Sequence, residues 1–185
     1  MGNPERLAMM KNCSIENKNL PIRIESVDAL KLAISLTFNR SDKHIKSVLI
    51  FNNENPNTLF NSLTHSDVER NIVDFLSEKD AKISIITNEK ERVKSSTIYH
   101  KENKSKIEIL SINQKMISTL EEGKPHKIKS LLLGDNETLI VGDFTSPDFT
   151  ESLYVNFFDV NSSELLNNYF NGLKDFILNG GEFKK

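Results

Sequence analysis

The stretch Lys127–Phe144, KIKSLLLGDNETLIVGDF, contains two apolar runs separated by the segment GDNE. Gly, Asp and Asn favour tight turns, so the stretch predicts two antiparallel strands, Ile128–Leu133 and Thr138–Val141, joined as a hairpin. Both runs are rich in Leu, Ile and Val, which is typical of strands buried in a sheet. We therefore expect an antiparallel element inside a covered β-sheet.

Upstream of this hairpin, segments with helical spacing alternate with short apolar runs. Two such runs, Ile45–Phe51 and Ala81–Thr87, each follow a helical segment. Ser26 is placed to cap the first helix, and Ser66 with Glu69 three residues later forms a capping-box pattern for the second. Strands joined through helices favour parallel pairing. We expect parallel strands beside the antiparallel hairpin.

Two further strands and a closing helix complete the predicted order. The strands are Lys106–Leu110 and Leu153–Phe158, and the charged segment 88–96 (NEKERVKSS) suggests a short helix before them. Asn161 is placed to cap a last helix that ends near Asn179. Its predicted buried face comprises Leu166, Phe170, Leu173 and Ile177. The predicted fold class is α/β, a mixed β-sheet sandwiched by helices in one domain.

The N-terminal residues 1–20 are polar and have no sustained period, which predicts a flexible arm before a domain over residues 21–185. Cys13 is the only cysteine. A single cysteine excludes an internal disulfide and a thiolate zinc cluster, and it is typical of a reducing compartment. No apolar run is long enough for an export signal or a membrane span, so we expect a cytoplasmic protein.

The charges of the chain nearly cancel. Lys and Arg number 24 and Asp and Glu 26 in 185 residues, giving a formal net charge of −2. No strong global field therefore attracts nucleic acid or anionic lipid. The four histidines, His44, His65, His100 and His126, are scattered without the spacing of metal ligands. We expect neither a metal ion nor a cofactor.

The hairpin and the order of elements around it resemble one repeat of the phospholipase D superfamily, especially small bacterial members with a degenerate catalytic motif. The family motif is His-x-Lys, four residues and Asp, followed by a strand ending in Gly-Ser-x-Asn. The segment DNETLIVG, from Asp135 to Gly142, fits the family's stretch from its Asp to its Gly without a gap. This register places Ile128 at the family's His and Ser130 at its Lys.

The same register places Asp143 at the family's Ser and Thr145 at its Asn, and Phe158 stands where active members often carry a glutamate. In active members the resemblance implies a histidine that attacks phosphorus, a second histidine that protonates the leaving oxygen, and Lys and Asn that stabilise charge. An isoleucine can do neither of the histidine's tasks. The resemblance therefore implies a phospholipase D-like fold whose catalysis is lost.

Two alternatives to a loss of catalysis remain open at this point. A relocated phosphodiesterase or nuclease site would use His126, Lys129 and Asp135. His126 lies two residues before the family's position, however, which is about 7 Å at strand spacing. A basic rim of Lys124, Lys127 and Lys129 would instead serve a nucleic-acid-binding regulator, although glutamates interleave with these lysines.

With catalysis, membrane insertion and strong nucleic-acid attraction disfavoured, the favoured interpretation is a macromolecular binding module. A protein is the favoured partner, as for a small bacterial accessory or immunity-type factor. Active single-motif members of the phospholipase D superfamily dimerise to bring two motifs together, so the resemblance also implies a homodimer.

Overall fold

The computed structural model describes residues 4–52, 57–99, 101–122, 128–135, 137–144 and 153–182. Within these residues, seven strands form one sheet in the order β1-β7-β6-β5-β2-β3-β4. They are β1 (Ile22–Arg23), β2 (His44–Leu49), β3 (Lys82–Thr87), β4 (Ile107–Ser111), β5 (Leu131–Gly134), β6 (Thr138–Gly142) and β7 (Leu153–Asn156). The β2–β3 and β3–β4 pairs are parallel, and the other pairs are antiparallel.

Helices lie on both sides of this sheet. They are α1 (Pro4–Glu16), α2 (Val27–Arg40), α3 (Thr58–Leu63), α4 (Ser66–Ser77), α5 (Lys90–Lys94), α6 (Gln114–Glu121) and α7 (Val160–Leu178), with a 3-10 turn at Lys101–Lys106. Helices α1 to α5 contribute to one core cluster, and α6 and α7 contribute to a second. None of the described helices combines the length and the apolar character that crossing a bilayer requires.

The alternation of side chains along the strands separates these two clusters. In β5, Leu132 belongs to the first cluster, whereas Leu131 and Leu133 belong to the second. In β6, Ile140 and Leu139 divide in the same way. Successive strand residues point to opposite faces, and here both faces are covered. This burial on both faces explains why the sequence has continuous apolar runs rather than strict polar alternation.

The expected fold class, a mixed sheet between helices, is confirmed. The GDNE hairpin is the antiparallel β5–β6 pair, with Leu131 opposite Val141. Strand β5 begins at Leu131 rather than at the expected Ile128. The difference has a local cause, because the Ile128 N–H donates to the Glu121 Oε1 atom at 2.9 Å instead of to a neighbouring strand.

One of the three expected helix caps is confirmed and two differ. The confirmed cap is Ser26 of α2, whose Oγ accepts the Ala29 N–H at 3.1 Å. Helix α4 begins at Ser66, but its cap is the preceding His65. Helix α7 is capped by Asp159 rather than by Asn161, and the Asp159 carboxylate accepts the Ser162 N–H at 3.0 Å. A carboxylate near the positive end of a helix is well placed for this role.

The N-terminal segment differs from the expected flexible arm, because residues 4–16 form α1. Met10 and Cys13 are buried in the first core cluster, and Leu7 packs against it. The Arg40 guanidinium also holds the end of this helix through the Ser14 carbonyl and the Asn17 Oδ1 atom. The three apolar residues recur every three positions, a narrow stripe that the polar composition of the segment obscures.

Candidate functional site

The carboxyl ends of the parallel strands β2, β3 and β4 open into a cleft beside the start of β5. α/β proteins commonly bind ligands at such ends. This strand-end cleft has a volume of about 970 Å³, and its polar lining includes Asn88, Glu89, Asn113, Glu121, Lys129 and Asp143. None of the described lining residues is a histidine or a cysteine. The described lining therefore offers amides, hydroxyls, carboxylates and one ammonium group, but neither an imidazole nor a thiol.

Ser130, at the register of the family's Lys, is buried and holds two chain segments together. Its Oγ atom accepts the Ile50 N–H and the Asn57 Nδ2–H, each at 3.0 Å. Asn57 in turn donates to the Ile50 carbonyl at 2.9 Å and caps α3 by accepting the Phe60 N–H. The Ser130 hydroxyl thus ties the segment after β2 to the start of the hairpin.

Ile128, at the register of the family's His, packs against the second core cluster. It also lines an apolar pocket of about 420 Å³ between α6, β5 and α7. The apolar pocket is defined here by Leu120, Ile128, Leu131, Leu166, Tyr169 and Leu173. The position that the sequence resemblance aligns with a phosphorus-attacking histidine is therefore part of a hydrophobic wall in this chain.

The α7 surface beside the apolar pocket exposes large side chains. Leu165 is 72% exposed and Tyr169 is 40% exposed. The residues are four positions apart on a helix, so they lie on the same face. Partial burial, and secondarily the charge of Glu121, raise the pKa of Tyr169, which keeps the phenol protonated and able to donate a hydrogen bond.

The residues of the relocated-site hypothesis are not brought together where the structure describes them. Lys129 is exposed before β5, whereas Asp135 follows the other end of that strand. Strand spacing separates them by roughly 15–20 Å, too far for both to contact one phosphoryl group. His126, Lys124 and Lys127 lie outside the described residues, as does Thr145.

The Asp135 carboxylate is engaged by backbone N–H groups of the turn before β2. It accepts the N–H groups of Asp42, Lys43 and His44, the last at 2.7 Å. The backbone of Asp135 has a φ of 43°, a left-handed conformation that Asp adopts more readily than most residues. The matched Asp of the motif therefore fixes the turn between α2 and β2 in this chain.

Phe158 lies just beyond β7, where its N–H donates to the Asn156 Oδ1 atom at 3.2 Å. Asn156 is buried and also donates through Nδ2 to the Asn19 Oδ1 atom at 2.7 Å. At this position, therefore, the described contacts hold the end of β7 in place.

A third cavity lies at the opposite, amino-terminal ends of β2, β3 and β4, and no motif in the sequence indicates it. This basic groove has a volume of about 930 Å³ and is lined mainly by Lys43, His44, Lys46, Lys82, Ser84, Lys106, Glu108, Asn167, Asn171 and Lys174. Its residues come from the starts of three strands, from the segments just before β2 and β4, and from α7. The sheet register and the path of α7 bring them together, so no spacing in the sequence could have revealed the set.

Glu108 and Lys174 form an ion pair in the basic groove, with Nζ and Oε2 2.7 Å apart. The hydrogen bond from Lys174 is the main reason that the pKa of Glu108 lies below its ordinary value. Burial, together with the positive charge of Lys174, lowers the pKa of Lys46. No three His, Cys, Asp or Glu side chains of the described segments are grouped closely enough to hold a metal ion.

Comparison with known proteins shows that the fold of this chain is similar to those of solved structures. No protein-family model matches the chain, and a search of curated proteins finds no relative. Among solved structures, TrmBL2, an archaeal chromatin protein with a novel mode of DNA binding, has a TM-score of 0.52 at 14% identity. The match covers 92% of this chain, which spans only 59% of TrmBL2.

Two further solved structures come from bacteria. NucT from Helicobacter pylori has a TM-score of 0.50 at 10% identity, over 83% of this chain and 93% of NucT. Nuc from Salmonella typhimurium, a phospholipase D family member, has a TM-score of 0.46 at 12% identity, over 76% of this chain and 84% of Nuc. TrmBL2 and NucT thus share the α/β architecture of this chain over most of its length.

Proposed function

We propose that this protein is a non-catalytic binding module of phospholipase D-like fold and that its partner is a protein. The observation that carries the proposal is the use of Ile128 and Ser130. One packs in a hydrophobic wall, and the other accepts hydrogen bonds from Ile50 and Asn57. Both positions at which the related enzymes need reactive groups serve to hold this fold together.

The charge of the strand-end cleft also disfavours phosphodiester binding. Its described lining includes the carboxylates of Glu89, Glu121 and Asp143 against the single ammonium of Lys129. Like charges repel, and burying a phosphate against an apolar wall without a compensating partner is unfavourable. An uncharged ligand group suits this end of the sheet better than a phosphodiester does.

The protein partner is supported by the surface around the apolar pocket. Leu165 and Tyr169 are exposed next to the pocket that Leu166 and Leu173 line. An exposed apolar patch beside a pocket is typical of a protein interface, and Tyr is enriched among residues that dominate binding energy. We propose that an apolar side chain of the partner occupies the pocket while Tyr169 contacts its flank.

A phosphodiesterase assay tests the non-catalytic part. The purified protein and a His126→Ala variant would be incubated with an aryl phosphodiester, single-stranded DNA, RNA and phosphatidylcholine. We expect no turnover by either protein. Turnover by the wild type that the His126→Ala variant lacks would overturn the proposal and assign a relocated active site.

Site-specific photo-cross-linking tests the protein partner. A benzophenone amino acid would replace Leu165, Tyr169 or, as a control, Leu178, which is 63% exposed at the far end of α7. We expect one protein adduct from nuclease-treated native lysate at the first two positions and none at Leu178. Adducts of this chain to itself would instead identify a homodimer, and adducts to nucleic acid alone, lost at moderate salt, would contradict a protein partner.

A further inference from the structure

The α7 side of the sheet changes from apolar to polar along each parallel strand. Val48 and Ile86 belong to the second core cluster, and Leu110 packs against it. Two residues earlier on the same strands, and hence on the same face, stand Lys46, Ser84 and Glu108. These three are cross-strand neighbours, since Lys46 pairs with Ser84 and Ser84 with Glu108. They form a polar row on the floor of the basic groove, and α7 forms one wall.

Lys46 is the unusual member of this row, because its charge has no carboxylate partner among the described residues. Its ammonium group donates to the Oδ1 atoms of Asn167 and Asn171 and lies 5.7 Å from the centre of the Phe170 ring. It is half-buried, and the other charge close to it is the ammonium of Lys174. An anion between Lys46 and Lys174 would compensate the cost of burying the Lys46 charge and offset its repulsion from Lys174.

The remaining charges of the basic groove favour a doubly charged anion. Five lysines and three carboxylates line it. Of the carboxylates, Asp135 is engaged by backbone N–H groups and Glu108 by Lys174. A phosphate monoester carries about two negative charges at neutral pH, which matches the excess of lysines, whereas a single carboxylate does not.

The size of the groove indicates more than a phosphate group. Pockets for small molecules commonly have volumes of roughly 300–1,000 Å³, and the basic groove lies near the top of that range with about 930 Å³. The Ser84 hydroxyl and the Nδ2 groups of Asn167 and Asn171 add uncharged hydrogen-bonding groups to its lining.

We propose that the basic groove binds a phosphorylated small molecule of about nucleotide size, with its phosphate held between Lys46 and Lys174. The groove lies at the end of the sheet opposite the strand-end cleft. It shares no lining residue with the strand-end cleft or with the apolar pocket, so the proposal does not depend on the protein partner or on any catalytic role for the hairpin.

Calorimetric titration tests this site with inorganic phosphate, adenosine monophosphate, adenosine and a short thymidine oligonucleotide as probes. We expect the wild type to bind the first two and not adenosine. Lys46→Met should weaken adenosine monophosphate binding by about tenfold or more, the usual effect of losing a hydrogen bond to a charged group. The matched control is Lys11→Met, an exposed lysine on α1 across the sheet, which should bind like the wild type.

A second variant, Lys82→Met, keeps the test decisive if Lys46→Met does not fold. Lys82 is exposed on the rim of the basic groove, so its replacement should leave the fold intact. This variant should also weaken binding of adenosine monophosphate. The proposal is overturned if the wild type binds neither phosphate nor adenosine monophosphate at millimolar concentration, or if Lys11→Met lowers affinity as much as the groove variants do. Tighter binding of the oligonucleotide, with a salt dependence of several phosphate contacts, would also overturn it in favour of a nucleic-acid backbone.

Discussion

The two ends of the α7 side of the sheet differ in chemistry although the same strands build them. At the carboxyl ends of β2 to β4, Val48 and Ile86 lie under α6 and α7. At the amino ends, Lys46 and Ser84 face the basic groove. A sheet face that helices cover must be apolar, and a polar face must stay in contact with water or a ligand. The change of polarity therefore marks where the helical layer stops.

The largest expected effect is at the apolar end, where Phe170 of α7 is 1% exposed in the second core cluster. Phe170→Ala should lower the free energy of unfolding by about 3–5 kcal/mol, because it leaves a cavity. Urea unfolding measures the change. Leu165→Ala, on the exposed face of the same helix, should change stability by less than about 0.5 kcal/mol. Equal effects of the two variants would contradict the assigned orientation of α7.

Ser130→Ala should have the next largest effect. It removes the acceptor of the Ile50 N–H and the Asn57 Nδ2–H, and unmet buried donors cost about 1–3 kcal/mol. Urea unfolding of this variant, with Ser95→Ala on the exposed end of α5 as control, checks the value. An unchanged urea midpoint for Ser130→Ala would mean that the hydroxyl is free for another role.

At the polar end, Lys46→Met should change stability by no more than about 1 kcal/mol, because it removes a half-buried charge together with its hydrogen bonds. The direction in which this stability difference changes with pH is more informative than its magnitude. The pKa of Lys46 in the folded protein lies below the ordinary 10.5, so the unfolded chain binds more protons between these two values. The wild type should therefore gain stability relative to Lys46→Met as pH rises through this interval. Thermal unfolding over alkaline pH measures the difference, and a constant difference would contradict the burial of this charge.

The smallest effect should come from Glu108→Gln, which breaks the ion pair with Lys174. Exposed pairs contribute roughly 0.2–1 kcal/mol. Because the pKa of Glu108 in the folded protein lies below the ordinary 4.5, its stabilisation is complete above that value and is lost as pH falls through the folded pKa. Urea unfolding at neutral and acidic pH should show the difference between the proteins disappear in acid. A difference that grows in acid would exclude the pair as its source.

The fold class could be predicted from the sequence because its signals are local. The turn residues between Gly134 and Thr138 and the apolar runs on either side define the hairpin within a dozen residues. Helix α1 escaped prediction because its buried stripe is narrow. Helix α6 did so because eight residues with two buried side chains, Ile117 and Leu120, give little periodicity.

The basic groove could not be predicted from the sequence in the same way. Lys46 and Lys174 are far apart in the chain, and each alone resembles an ordinary surface lysine. Their proximity depends on the register of β2 and on the path of α7, which are properties of the folded sheet. Asp135 illustrates the reverse case, because the motif assigned it to chemistry while the folded chain uses it to bind three backbone N–H groups.

The position of β5 also has a consequence for how the chain folds. β2, β3 and β4 are joined through nearby helices, but the other edge of β2 is covered only when β5 pairs with it antiparallel. The pairing of β1 forms later still, because Ile22 pairs with Val155 of β7, the last strand in the chain. Contacts between distant segments form slowly, and an unpaired strand edge invites association with other chains. A chain that stops between α6 and β5 therefore leaves this edge of β2 with unpaired backbone N–H and C=O groups, and it should aggregate more readily than the full chain.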